Sequence, residues 1–181
     1  MENIIEHLKK SIKLIEDKFL IRNERDFSYE LYHQMRNYKY QMNVEVSCES
    51  VKKRFSLNDE ILQDELIKSC FYRNNQTINR NIIRYPDLLV HEFGTLNHQH
   101  IAIEIKKIFN PELITRDLAK LAVYCYGRLQ YKKGIFILIN PRNNVLEVPN
   151  VKELLQRFPE IEIWIIRPSE NLEIINATTI I

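Results

Sequence analysis

Apolar residues recur along this chain with two periods. Ile5, Leu8, Ile12, Ile15 and Phe19 fall three and four residues apart, which predicts an amphipathic helix over residues 2–21. A second helix is predicted from about Phe27 to Tyr40, with Asp26 or Ser28 as its cap. Val44-Glu45-Val46-Ser47 alternates as a short strand does. Ile61, Leu62, Leu66 and Ile67 share one side of a helix predicted over residues 58–72, starting at Asn58 or Asp59. Residues 73–84 are polar and rich in Asn, and read as a loop.

The period then changes to two. Residues 87–93 and 100–106 form a pair of apolar runs, and Gly94-Thr95-Leu96-Asn97 between them has the chemistry of a hairpin turn. Strand side chains alternate faces, so Glu104 and Lys106 project together while Ile103 and Ile105 enter the core. Asp87, at the mouth of the partner strand, joins the Glu104 face. Asn110-Pro111-Glu112 combines a cap, a first-turn proline and an acid near the positive helix end, so a helix starts there and reaches about Gln130. Gly134 opens a strand over 135–139, residues 141–144 turn, 151–158 form a short helix and 161–166 another strand. The late strands are apolar throughout, which implies burial on both faces. The class is therefore α/β, a central mixed sheet flanked by helices.

Composition narrows this little. The 181 residues, 45% apolar and 28% charged, suit one domain with a sizeable core, and no repeat or linker divides it. No apolar run approaches the ~18 residues of a membrane span, so no membrane partner is expected. The amino terminus lacks a basic segment followed by an apolar one, so no secretory signal is expected. Cys48, Cys70 and Cys125 are odd in number and widely spaced, as reduced thiols of a cytoplasmic protein would be. The net charge of +2 announces no polyanion partner, although Arg73, Arg80 and Arg84, and later Arg128, Lys132 and Lys133, form clusters able to meet phosphates. With three glycines there is no phosphate-binding loop or dinucleotide fingerprint, and the five histidines lack zincin spacing. Neither is there a Gly-x-Ser-x-Gly elbow.

The chemistry concentrates at Asp87, Glu104 and Lys106. Mg2+ takes hard oxygen ligands and keeps several waters, so one or two carboxylates suffice. Asp87 and Glu104 supply those, the Ile105 carbonyl a third oxygen, and Lys106 would orient a water or offset charge on a phosphorane. Phosphodiester hydrolysis is the chemistry such a set serves.

Pro86-Asp87 and Glu104-Ile105-Lys106, with Glu30 in the preceding helix, resemble the PD-(D/E)xK nuclease superfamily, which includes restriction endonucleases and Holliday-junction resolvases. The resemblance spans about residues 26–139, leaving residues 51–84 as an insertion into a single nuclease domain over 1–181. It implies a restriction-endonuclease-like fold and a Mg2+- or Mn2+-dependent endonuclease that leaves a 5′-phosphate. Asp87, Glu104 and Glu30 would be catalytic and metal-binding, with Ile105 as a backbone ligand and Lys106 assisting the water. Lys120 and Tyr124, on the helix that follows, and Arg84 would face nucleic acid, DNA in preference to RNA. A homodimer would follow the habit of small members of this fold. The alternative readings are an RNA endonuclease of cap-snatching type and a non-catalytic nucleic-acid- or protein-binding module on the same fold.

Overall fold

The computed structural model describes residues 1–37, 44–48, 60–71, 86–92 and 99–180. Six strands form one open sheet: β1 (Val44–Cys48), β2 (Leu88–Glu92), β3 (Gln99–Lys106), β4 (Lys133–Ile139), β5 (Ile161–Ile166) and β6 (Glu173–Ile175). Their order in the sheet is their order in the chain. β1–β2, β2–β3 and β5–β6 pair antiparallel, whereas β3–β4 and β4–β5 pair parallel. The α/β mixed sheet expected from the apolar patterning is thus present.

The parallel centre demands covered faces, because a parallel strand needs a crossover and crossovers are helical here. α5 (Pro111–Tyr126) links β3 to β4, and α6 (Val151–Arg157) links β4 to β5. These two, with α4 (Glu65–Phe71), share a core with Ala102, Phe136, Leu138, Ile161 and Ile163. On the other face α1 (Glu2–Leu14), α2 (Asp17–Ile21) and α3 (Glu24–Asn37) bury Leu8, Leu20, Phe27 and Leu31 against Ile103, Ile105, Ile137 and Trp164. Each such fully buried side chain contributes about 1.5–3 kcal/mol relative to exposure.

Local signals account for most element boundaries. Asn110 caps α5 as expected, its Oδ1 accepting from Glu112 N at 3.0 Å and Leu113 N at 3.2 Å, with Pro111 at the first helical position. The amino-terminal helix differs from the single span expected. α1 ends at Leu14 and α2 begins at Asp17, because Ile15 turns to extended backbone. The next helix also starts earlier than its apolar pattern suggests: Asn23 Oδ1 accepts from Asp26 N at 2.8 Å, so α3 begins at Glu24. Within the stretch expected as an insertion, Leu62, Leu66, Ile67 and Phe71 are buried in the α5–α6 core. The hairpin turn at 94–97 lies outside the described residues.

Gly134 sets the height of α5 above the sheet. A Cβ there would stand 3.1 Å from Leu121 Cβ and 3.3 Å from Cys125 Sγ. Its absence lets the helix approach β4 closely, and with it the turn that carries Asp117 and Lys120. None of the described helices is long and apolar enough to cross a membrane.

Candidate active site

β2 stops at Leu88, which pairs with Ile103. Continuing that register sets Asp87 opposite Glu104 and Pro86 opposite Ile105. The Asp87 side chain then replaces a missing rung of the ladder: its Oδ2 accepts from Ile105 N at 2.7 Å. This one contact ties Pro86-Asp87 to Glu104-Ile105-Lys106. Residues directly opposite in an antiparallel pair share a face with Cβ atoms about 4.5–5.5 Å apart, so the two carboxyls converge.

The face they share is covered. α5 lies over it, and Glu104 is 1% exposed. Asp117 and Lys120, three apart on α5, descend to the same point. Lys120 Nζ stands 2.6 Å from Glu104 Oε1 and 3.4 Å from Asp117 Oδ1. Lys106 Nζ is 3.5 Å from Asp117 Oδ2 and donates at 3.0 Å to the carbonyl of Ile105. It also donates at 3.1 Å to Glu24 Oε1, and Glu24 Oε2 accepts from Lys107 N at 3.2 Å. Lys107 Nζ caps the end of α2 through the carbonyls of Ile21 and Arg22. Lys106, at the end of β3, is therefore gripped by acids from helices on both faces of the sheet.

Burial and mutual charge set the protonation of this cluster. Burial pushes the Glu104 carboxyl well above the usual carboxylate range; Lys120 opposes the shift, while Asp87 and Asp117 add to it. Burial also raises Asp87, against the pull of Lys106 and of the Ile105 N–H. For Lys106, burial favours the neutral amine, but Asp117, Asp87, Glu24 and Glu104 together outweigh it and hold the ammonium more firmly than in water. Lys120 likewise keeps its proton, because Glu104 and Asp117 outweigh its burial. The 2.6 Å contact between Lys120 and Glu104 is short but poorly directed. Glu104 Oε1 and Asp117 Oδ2 are buried oxygens with no well-angled hydrogen bond. Each keeps acceptor capacity for a cation.

The sequence-predicted residues divide accordingly. Asp87, Glu104, Ile105 and Lys106 come together. Glu30 does not join them: its carboxylate accepts from Gln34 Nε2 at 2.6 Å and lies 3.9 Å from His33 Nδ1. Glu24, near the start of the same helix and about 9 Å away along its axis, meets Lys106 instead. Its signal was Asn23 followed by acids at 24 and 26, the mark of a helix start. Lys120 and Tyr124, expected toward nucleic acid, are both buried. Lys120 faces Glu104, and the Tyr124 ring lies in the α5 core with its centroid 5.6 Å from that of Tyr131. Arg84 lies outside the described residues.

Among the described residues no three His, Cys, Asp or Glu side chains form a closed metal cage. A hydrated divalent ion does not need one, since one or two carboxylates and a carbonyl hold it with water. Asp87, Glu104 and the Ile105 carbonyl are such hard-oxygen donors, with Lys120 standing 2.6 Å from Glu104 Oε1 and Lys106 donating to the Ile105 carbonyl. A pocket of about 440 Å³ opens past the ends of β3 and β4, lined by Lys107, Phe109, Ile139, Asn140 and Arg142 among others.

No protein-family model matches the chain, nor does any curated protein or solved structure.

Proposed function

We propose that this chain is a Mg2+- or Mn2+-dependent nuclease with a restriction-endonuclease-like fold, cutting phosphodiester bonds in DNA. The observation that carries the reading is the 2.7 Å bond from Ile105 N to Asp87 Oδ2, which brings the acid of Pro86-Asp87 against Glu104-Ile105-Lys106. Asp87 and Glu104, with the Ile105 carbonyl, would hold the ion, whose chemistry is to activate water and polarise a phosphoryl oxygen. Lys106 stays an ammonium, so it acts as a hydrogen-bond donor and positive charge toward the attacking water or the phosphorane, rather than as a base. Glu24 and Asp117 fix its position from two sides. The pocket at Lys107 and Arg142 would receive the strand beside the cleaved phosphate, and pairing of two copies would deliver two cuts.

Incubating supercoiled plasmid, single-stranded DNA, a four-way junction and structured RNA with the chain in Mn2+ and in Mg2+ tests this. Asp87→Asn keeps an acceptor for Ile105 N but removes a ligand charge, and cleavage should fall about 10³-fold or more. Cutting of RNA alone would select the cap-snatching type of site. Binding without turnover in either metal would reduce the chain to a binding module, and cutting unaffected by Asp87→Asn would rule this site out.

A further inference from the structure

We infer that Lys120 is an internal counter-ion for the proposed metal site, standing on the ligand oxygen of Glu104 and moving onto Asp117 when a divalent cation enters. The inference rests on the metal reading of Asp87 and Glu104 and extends it to two residues that reading does not require. Its geometry is specific. Lys120 Nζ is 2.6 Å from Glu104 Oε1 and already 3.4 Å from Asp117 Oδ1, so a shift of about one ångström exchanges one partner for the other. The lysine side chain is 10% exposed and the two acids 1% and 2%, so bulk solvent screens these contacts little. Both acids also hold a buried oxygen lacking a well-directed bond, Glu104 Oε1 and Asp117 Oδ2. A network fully satisfied by its own lysines would leave neither open.

Charge makes the exchange necessary. An ammonium against Glu104 repels a second cation at the same carboxylate, and the repulsion is strong where solvent is excluded. Asp117 offers the displaced ammonium an acceptor in place, with no side chain leaving the core. Lys106, on the other oxygen of Asp117 at 3.5 Å, keeps that acid fixed while Lys120 moves. Lys120 and Asp117 are thus positioning residues: they set how readily the ion loads, and touch neither water nor phosphate.

Mn2+ binding tests this without any substrate, by calorimetry or by the electron-spin-resonance signal of the free ion. The proteins are the wild-type chain, Lys120→Gln, Asp117→Asn and the double variant. Removing the competing ammonium should tighten binding about tenfold or more, and removing its resting place should weaken binding by a similar factor. The diagnostic result is the double variant, which should bind Mn2+ as Lys120→Gln does, because the effect of Asp117 on loading runs through Lys120, whereas its contact with Lys106 bears on cleavage. Equal affinity in Lys120→Gln and wild type, or an Asp117→Asn effect that persists in the Lys120→Gln background, would overturn the inference while leaving the metal site standing. No Mn2+ binding in any form would overturn the metal site itself. Should Lys120→Gln not fold, side-chain NMR of the wild type decides. Mg2+ should move the Cε resonance of Lys120 and leave that of Lys133, paired with Glu162 at 2.6 Å, in place. An unmoved Lys120 would refute the exchange.

Discussion

The two faces of this sheet are built on opposite terms. The face under α1 and α3 is apolar through its middle, with Phe27, Leu31, Ile103, Ile105, Ile137 and Trp164 filling it, and its Lys133–Glu162 ion pair sits at the far end of β4 and β5, 26% and 13% exposed. The face under α5 carries an equally apolar core over most of its area, but near the end of β3 it buries Glu104, Asp117 and Lys120 among the same kinds of neighbours. Burying charge is costly even when it is paired, and a well-packed apolar replacement is often as stable or better. The apolar face is what holding a fold requires. Packing alone does not call for the charged patch, and the proposed site is placed there for that reason.

The largest effect that would sharpen this contrast is Lys120→Met. Leaving Glu104 buried without its lysine should cost about 3–5 kcal/mol, read from urea unfolding. Adding Glu104→Leu should recover most of that loss and bring the double variant to wild-type stability or above, while removing activity. A double variant as unstable as the single one would mean that the network is structural after all.

The second test is pH. Burial raises Asp87 and Glu104 above their unfolded values of 3.8 and 4.5, so between those values and the folded ones the native chain holds protons the unfolded chain has released. Stability should therefore fall as pH rises through that window, by at most about 1.4 kcal/mol per pH unit for each proton held. Glu104→Gln should flatten the slope, and an unchanged slope would refute the assignment. On the apolar face Ile137→Val should cost only about 0.5–1.5 kcal/mol, with no pH dependence of its own. A larger loss, or one that varies with pH, would mean that the two faces are not independent.

The sequence made the scaffold readable where periodicity was long or chemistry local. Asn110-Pro111 announced α5, and the unbroken apolar runs of β4 and β5 announced a sheet covered on both faces. β6 escaped because three residues, Glu173–Ile175, are too few to show a period. The break between α1 and α2 escaped because the apolar spacing runs through it. In the site, Asp87, Glu104 and Lys106 were legible as a motif, while Glu30, sought beside them, pairs with Gln34, and it is Glu24 that contacts Lys106. Helical spacing tells which residues share a face but not how deep that face lies. Lys120 and Tyr124 therefore read as surface groups, and only the close seating of α5 over Gly134 reveals them as buried.

Asp87 is held by the main chain of Ile105, and the Lys106 ammonium rests on the carbonyl of that same residue. Both contacts are indifferent to the side chain at 105, so an exchange of Ile105 for another strand-forming residue should leave the site in place. They are wholly dependent on the alignment of β3 between β2 and β4. Sliding β3 by one residue would turn Glu104 and Lys106 under α3 and present Ile105 to α5. Misaligned sheets would thus lack the proposed site as well as pack poorly, and the chain would assemble that constellation only by completing the correct pairing.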